Sequence, residues 1–189
     1  MVLVSLILPV AGFLCGSLMF SFWLGLLRGR DIRETGDGNP GAVNAFKAAG
    51  FGIGSLGLVL DFLKGAVPVT IGYQYFHLSG GWLIVLIIAP VFGHIFSPFL
   101  KFKGGKGIAT TFGVWTGITL WQVPCLLGAF LIFTRFVLGI RRDEICVLSS
   151  LGGMVLFVGL VYRSLPLLAA ALANSIVVAY RHLPVRRCG

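Results

Sequence analysis

Charge is what this sequence has least of. Only 11% of its 189 residues are Asp, Glu, Lys or Arg, and the acidic ones number six. With 57% hydrophobic residues and a mean hydropathy of +0.98, too little polar surface remains to cover an ordinary soluble fold. Cysteines are few and scattered: Cys15, Cys125, Cys146 and Cys188 form no CxxC pair, which argues against a metal ribbon or a disulfide framework. They read as small packing residues. The three histidines, His77, His94 and His182, fall on three different elements, so no metal-ligand spacing emerges and no cofactor is expected. A Ser-centred nucleophile elbow and a Walker A loop are both missing. The N-terminus lacks a basic leader: Met1 to Leu27 carries no charge, and the first basic cluster follows it. A cleaved signal peptide has the opposite order, so the first span is read as retained, with its N-terminus outside.

What the sequence has is long apolar runs. They lie at about 2–27, 51–76, 81–100, 110–138, 145–161 and 165–180, several of them reaching the roughly 20 residues that a helix needs to cross a bilayer. The fourth run is too long for one span and short for two, and Trp121-Gln122-Val123-Pro124 interrupts it. Charge decides the count. With two short helices there, one side holds Arg28, Arg30, Arg33, Lys47, Lys101, Lys103, Lys106, Arg141, Arg142, Arg181, Arg186 and Arg187, against Arg163 alone on the other. The positive-inside rule expects such an imbalance. The expected fold is therefore an all-α integral membrane protein, a seven-helix bundle over 1–189 as one domain. Helices 4 and 5 are short and only partly spanning, the N-terminus is outside and the C-terminus cytoplasmic. The net charge of +9 sits in short loops between apolar spans, which reads as topology rather than nucleic-acid binding. Gly12/Gly16 and Gly113/Gly117, at four-residue spacing, read as close helix contacts.

Two polar loops share the cytoplasmic face. The first runs from Arg28 to Asn44 and contains Arg33, Gly36, Asp37, Gly38, Asn39, Gly41 and Asn44, a mixture of turns, short polar groups and arginines suited to an anion. The second, Lys101 to Thr110, contains Lys103-Gly104-Gly105-Lys106-Gly107 and feeds a helix N-terminus, a ready phosphate site. Each loop alone also reads as a basic membrane-surface turn. Within the spans, Asp61 and Lys64 lie three apart and can pair, as a structural pair or a functional one. His94 stands near Ser97 beside the lysine loop, and a lone His is commonly structural. Asn174 and Arg135 are expected as interhelical hydrogen-bond glue. His182 begins the tail, in a structural, interfacial or site-lining role.

Gly16-Ser17, DIRETGDGNPGAVN (31–44), DFLKGAVPV (61–69), GHIFSPFLKFKGGKGIAT (93–110), TRFV (134–137) and Arg181-His182 follow one familiar order. Over nearly its whole length the chain resembles the PlsY family, bacterial membrane acyltransferases that make lysophosphatidate from acyl phosphate and glycerol 3-phosphate. The resemblance implies a multi-pass protein of the bacterial inner membrane, with its site on the cytoplasmic side. It also implies the first acylation step of phospholipid synthesis, membrane lipid as surroundings, and a soluble acyl-phosphate-forming enzyme as partner. An activated mixed-anhydride donor needs positioning and charge stabilisation more than a covalent nucleophile. On this basis Lys103, Lys106 and the backbone of Gly104, Gly105 and Gly107 hold a phosphate. Arg33, Asn39 and Asn44 orient the second substrate. Gly36, Asp37, Gly38, Lys47 and Lys64 complete the substrate-binding set, and His94, His182 and Lys106 line the site. The departing phosphate takes the hydroxyl proton, and apolar grooves between helices take the acyl chain.

The chain departs from the family pattern at Asp37, where Ser is usual, at Val43, where Thr is usual, and at Lys47, near a usual Arg. It also departs at Val185, where the tail usually has Asn, and in LGIRRDEI after TRFV. A carboxylate at 37 repels a phosphate unless a cation offsets it. No histidine is followed by Asp at HxxxxD spacing, which argues against a His–Asp, CoA-linked mechanism. Two other readings stay open: a paralogue with a different acyl acceptor, and a non-catalytic bundle binding lipid or anions. A small transporter is the weakest, because a continuous polar path is missing and Trp82 to Pro90 has no polar side chain except the Trp82 indole.

Overall fold

The structure, a computed structural model, describes residues 2–183; Val185 and the basic pair Arg186/Arg187 lie outside the described residues. Eight α-helices occur among the described residues, with no strand: α1 Val2–Ser17, α2 Phe20–Leu27, α3 Ala42–Thr70, α4 Gly80–Ile95, α5 Ile108–Thr119, α6 Gln122–Ile132, α7 Asp143–Phe157 and α8 Leu165–His182. Helices α1 and α2 are two pieces of one apolar span, so the elements fall into the seven groups that the charge distribution demands. Five segments are long and apolar enough to cross a membrane: Val2–Leu27, Ala42–Tyr75, Gly80–Leu100, Asp143–Tyr162 and Leu165–His182. Helix α5, with 12 residues, rises about 18 Å, well short of the ~30 Å of hydrocarbon. The outer surface is apolar, with Leu3, Leu27, Phe136, Leu160 and Ile176 all exposed, as lipid-facing helices require.

Local chemistry explains most boundaries. The fourth apolar run breaks where expected: Leu120 leaves the helix with a positive φ (55°), and Thr119 Oγ1 accepts the Val123 N–H at 3.2 Å as α6 begins. Pro166 opens α8, and Asp143 and Glu144 favour the N-terminus of α7. Helix α3 kinks at Gly50 (φ 85°), so the segment before Phe51 turns away from the span proper. Two boundaries differ from the sequence reading. The third span does not reach residue 100 as one helix; α4 stops at Ile95 because Pro98 holds Ser97 in an extended conformation. The first span is not continuous but breaks at Leu18 and Met19.

The glycine pairs do pack helices closely. A Cβ on Gly16 would lie 2.1 Å from the Pro90 carbonyl oxygen, and one on Gly113 2.0 Å from that of Phe62, so α1 seats on α4 and α5 on α3. Trp115, Leu86, Ile87, Met154, Val158, Ala170 and Ala171 fill the core between α4, α5, α7 and α8.

The break in the first span leaves two carbonyls without helical partners, and other elements supply donors. Ser97 Oγ donates to the Ser17 carbonyl at 2.6 Å, and the Lys64 ammonium donates to the Leu18 carbonyl. Lys64 pairs in turn with Asp61 at 2.7 Å. Asp61 accepts from Ser21 Oγ at 2.6 Å, and its backbone carbonyl accepts from Thr110 Oγ1 at 3.0 Å. With Asp61 1% and Lys64 5% exposed, this is a buried ion pair with its remaining hydrogen-bonding capacity largely used. Removing one partner strands the other, so Lys64→Met is expected to cost about 3–5 kcal/mol. The double change Asp61→Asn/Lys64→Met should cost less. Thermal unfolding in detergent checks this; equal midpoints for wild type and Lys64→Met would show that the pair does not secure the break.

Candidate active site

The second loop is built on the end of α4. After Ser97 and Pro98 the chain turns through Lys101 (φ 52°) and Phe102 (φ 61°), both left-handed, and comes back over the last turn of α4. There the Gly104 N–H donates to the Ile95 carbonyl and the Gly105 N–H to the His94 carbonyl, each at 3.0 Å. The approach tolerates no side chain: a Cβ on Gly104 would lie 2.0 Å from His94 O, and one on Gly105 2.1 Å from His94 Nε2. From the far end of the chain, Arg181 in the last turn of α8 clamps the loop, its Nη2 donating to the Gly104 carbonyl at 2.7 Å and its Nε to that of Gly105 at 3.4 Å. Gly107 (φ 80°) then leads into α5.

This arrangement alters the expected role of the glycine backbone. The N–H groups of Gly104 and Gly105 are consumed by α4, so they are not available to an anion. The loop's other donors include the ammonium groups of Lys101, Lys103 and Lys106 and the first turn of α5.

The first loop begins with a short helical turn, Ile32–Glu34, capped by Asp31, whose Oδ1 accepts the Arg33 N–H at 2.9 Å. Ile32 anchors it among Met19, Phe22 and Ala45. The Arg33 guanidinium pairs with Asp31 at 2.6 Å and lies 4.5 Å from the centre of the Phe22 ring. That hydrogen bond holds the Asp31 carboxyl below its ordinary pKa. Beyond it, Gly36 (φ 63°) and Gly38 (φ 73°) fold the chain so that Asp37 faces the other loop. Asn44, in the first turn of α3, donates through Nδ2 to Asp37 Oδ1 and to the Asn39 carbonyl, both at 2.9 Å. The Asn39 N–H reaches the same Asp37 oxygen at 3.2 Å. Across the gap, Lys106 Nζ lies 2.7 Å from Asp37 Oδ2. Partial burial works against the charged form of Asp37, but the bonds from Lys106, Asn39 and Asn44 outweigh it and hold the carboxyl below its usual pKa. Lys47 Nζ stands beside Gly36, 3.4 Å from where a Cβ there would be.

Gly36, Asp37, Asn39, Asn44, Lys47 and Lys106 thus come together, with Gly104, Gly105 and His94 directly behind Lys106 in the loop. Lys103 is exposed and makes no ion pair among the described residues. Gly38 packs over the Arg33 carbonyl. Two residues expected at the site have other partners: Arg33 is held by its own loop, and Lys64 is buried at the helix break. His182 follows Arg181, and its Nδ1 lies 2.9 Å from the Val178 carbonyl; a carbonyl only accepts, so Nδ1 carries the proton. Its Nε2 is buried and has no partner among the described residues. Asn174 joins α8 to α5 through Thr111 Oγ1 at 3.3 Å, as interhelical glue. Arg135, just after α6, also reaches the next helix, at its first residue. It bonds the Arg141 carbonyl at 2.6 Å and Asp143 at 3.2 Å, latching the turn before α7. The clamp role of Arg181 was not foreseen; its signal was a cation in the last turn of the last helix, on the same face as both loops. No group of three His, Cys, Asp or Glu side chains suited to a metal occurs among the described residues.

A family model described as Glycerol-3-phosphate acyltransferase matches residues 6–186. The chain belongs to that family. It is 34% identical over 188 residues to Glycerol-3-phosphate acyltransferase 1 of Thermotoga maritima, covering 93% of each chain. To the Glycerol-3-phosphate acyltransferase of Geobacter sulfurreducens it is 34% identical, over 94% of this chain and 90% of the relative. Its fold matches crystal structures of PlsY, an integral membrane glycerol 3-phosphate acyltransferase. The glycerol 3-phosphate form superposes with a TM-score of 0.86 at 31% identity, over 94% of this chain and 88% of that one. The lysophosphatidic acid form gives 0.85 at 30%, over 94% and 87%. This multi-pass membrane fold is thus shared with the family that the loop motifs resemble.

The closeness of the glycine loop to His94 is testable. Gly105→Ala is expected to lower the unfolding midpoint, by about 1–3 kcal/mol of overpacking. Gly128→Ala, where the new Cβ meets only Phe112 Cε1 at 3.9 Å, should leave it unchanged or raise it. Equal midpoints for Gly105→Ala and wild type would mean that the loop does not bear on the histidine.

Proposed function

We propose that this chain transfers the acyl group of an acyl phosphate to a hydroxyl of glycerol 3-phosphate, yielding lysophosphatidate and inorganic phosphate, at the cytoplasmic face of a bacterial inner membrane. The observation that carries the reading is the convergence of Lys106, Asn44 and the Asn39 N–H on a single anionic group, in a chain of this family. The excess of basic loops on the same side supports the orientation, with the N-terminus outside and the C-terminus inside.

In this reading Lys106, with Lys103 and Lys47 nearby, neutralises phosphate charge, while Asn39 and Asn44 hold the acceptor. The acceptor hydroxyl attacks the acyl carbon, the bond from that carbon to the phosphate oxygen breaks, and the phosphate leaves with the electron pair and takes the hydroxyl proton. The donor is already activated, so the protein's work is orientation and charge stabilisation. His182, with Nδ1–H tied to Val178, presents an Nε2 lone pair beside the Arg181 clamp and lines the same region. His94 supports the loop from below. The donor reaches the membrane from a soluble enzyme that forms acyl phosphate. A second reading, an acyltransferase with another acceptor or a binding bundle without turnover, draws on Asp37, which puts a carboxylate where a phosphate is expected.

Purified protein supplied with acyl phosphate and glycerol 3-phosphate should release phosphate only when both are present, and acyl-CoA should not replace the donor. Lys106→Ala should lower kcat/KM by at least about a hundredfold, the loss of one charged transition-state contact. A folded, monodisperse protein that shows no turnover would remove this reading in favour of the second.

A further inference from the structure

Asp37 sits in the anion cradle itself. Its Oδ2 pairs with Lys106, and its Oδ1 accepts from the Asn44 amide and the Asn39 N–H. Donors from both loops and from the first turn of α3 therefore converge on two oxygens that share one negative charge. Such a set, an ammonium, a side-chain amide and a backbone N–H, is equally suited to the oxygens of a phosphate. The fold has little need of the contact. The two side chains are 49% and 32% exposed, and an ion pair so exposed contributes little to stability. Two other acids are committed to structure: Asp31 caps a turn and holds Arg33, and Asp61 is buried at the helix break. Asp37 instead reaches across to the opposite loop.

We propose that Asp37 is a tethered counter-ion that fills the phosphate cradle while substrate is absent and is displaced when a phosphate enters. The inference rests on the reading above, that the cradle takes the phosphate of glycerol 3-phosphate. Being half exposed, the carboxylate has water into which to swing. An entering phosphate must outcompete a group whose effective concentration is set by a short tether, which raises the apparent KM. When phosphate leaves, the carboxylate returns to Lys106 and favours its departure. Asp37 thereby trades affinity for release, and its replacement shifts that balance.

The test uses the full-length protein in detergent, with Asp37→Asn and Asp37→Ser. Inorganic phosphate, titrated calorimetrically, should bind both variants about fivefold or more tightly than wild type, the scale of one exposed ion pair removed. KM for glycerol 3-phosphate should fall by a similar factor while kcat does not rise. In a Lys106→Met background, Asp37→Asn should raise phosphate affinity by a clearly smaller factor, because the shared cation is gone. Weaker phosphate binding or a higher KM in both variants would make Asp37 a substrate ligand and overturn the proposal. Unchanged affinity with a lowered unfolding midpoint would make it a structural pin and overturn it equally. The two readings separate cleanly. A wild type without turnover whose phosphate affinity rises on Asp37→Asn keeps the counter-ion and loses the acyltransferase. Turnover in wild type with no change in affinity on substitution does the reverse.

Discussion

A helix broken within an apolar span must find donors for its freed carbonyls inside the protein, and much of this molecule is arranged around one such break. At Leu18 and Met19 the first span stops and restarts, and its carbonyls are met by Lys64 from α3 and by Ser97 from the turn after α4. Lys64 cannot be buried without Asp61, and Asp61 draws in Ser21 and, through its own carbonyl, Thr110. One defect thus ties together α1, α2, α3, the exit of α4 and the start of α5. Two of those attachment points, Ser97 and Thr110, bracket the lysine loop. The break therefore fixes both ends of the loop that carries Lys106.

What lies between those ends is held just as firmly, and at a cost to a simple picture of the site. A glycine-rich loop entering a helix suggests backbone N–H groups turned toward a phosphate. Here the glycines serve a different end: they let the loop lie directly on His94, spending two N–H groups on α4 carbonyls, while Arg181 closes it from above. Positive charge for an anion must then come from side chains. A closely held loop carrying side-chain ammonium groups suits a reaction whose donor is already activated, since it places charge without presenting a nucleophile.

How much of this could be read in the sequence follows from the range of the interactions. Local signals were reliable: Trp121 to Pro124 marked the division between α5 and α6, Gly113/Gly117 and Gly12/Gly16 marked close packing, and the three-residue spacing of Asp61 and Lys64 marked their pairing. The distribution of basic residues decided between six spans and seven. The break at Leu18–Met19 left only a weak local trace, the Gly16-Ser17 pair just before it; it is sustained because Lys64 and Ser97 are available to it in space. Arg135 reaches its partner over a shorter range. A cation in an apolar run suggests interhelical bonding, and its partner, Asp143, is the first residue of α7, just beyond the next turn. Asp37 was legible as a problem in need of a cation, but that the cation is Lys106 depends on the two loops meeting, which only the folded topology decides.

The level of the site along the bundle follows from the same placement. Helix α4 ends early, at Ile95, and the chain after it runs through Phe99 and Phe102, which stay 53% and 65% exposed, while Phe99 meets Trp23 edge-on at 5.9 Å. Exposed aromatic rings flanked by Lys101 and Lys103 belong at a membrane–water interface, where a ring rests on hydrocarbon and an ammonium reaches water. Lys106 follows Phe102 by four residues and pairs with Asp37 of the other loop, so under the proposed function the anion cradle belongs at that boundary. In the proposed reaction a phosphorylated polar acceptor arrives from water and an acyl chain from lipid, and a cradle at this level is open to both. The early end of α4, imposed by Pro98 and repaid by the Ser97 bond to the broken first span, is what lowers the loop to it.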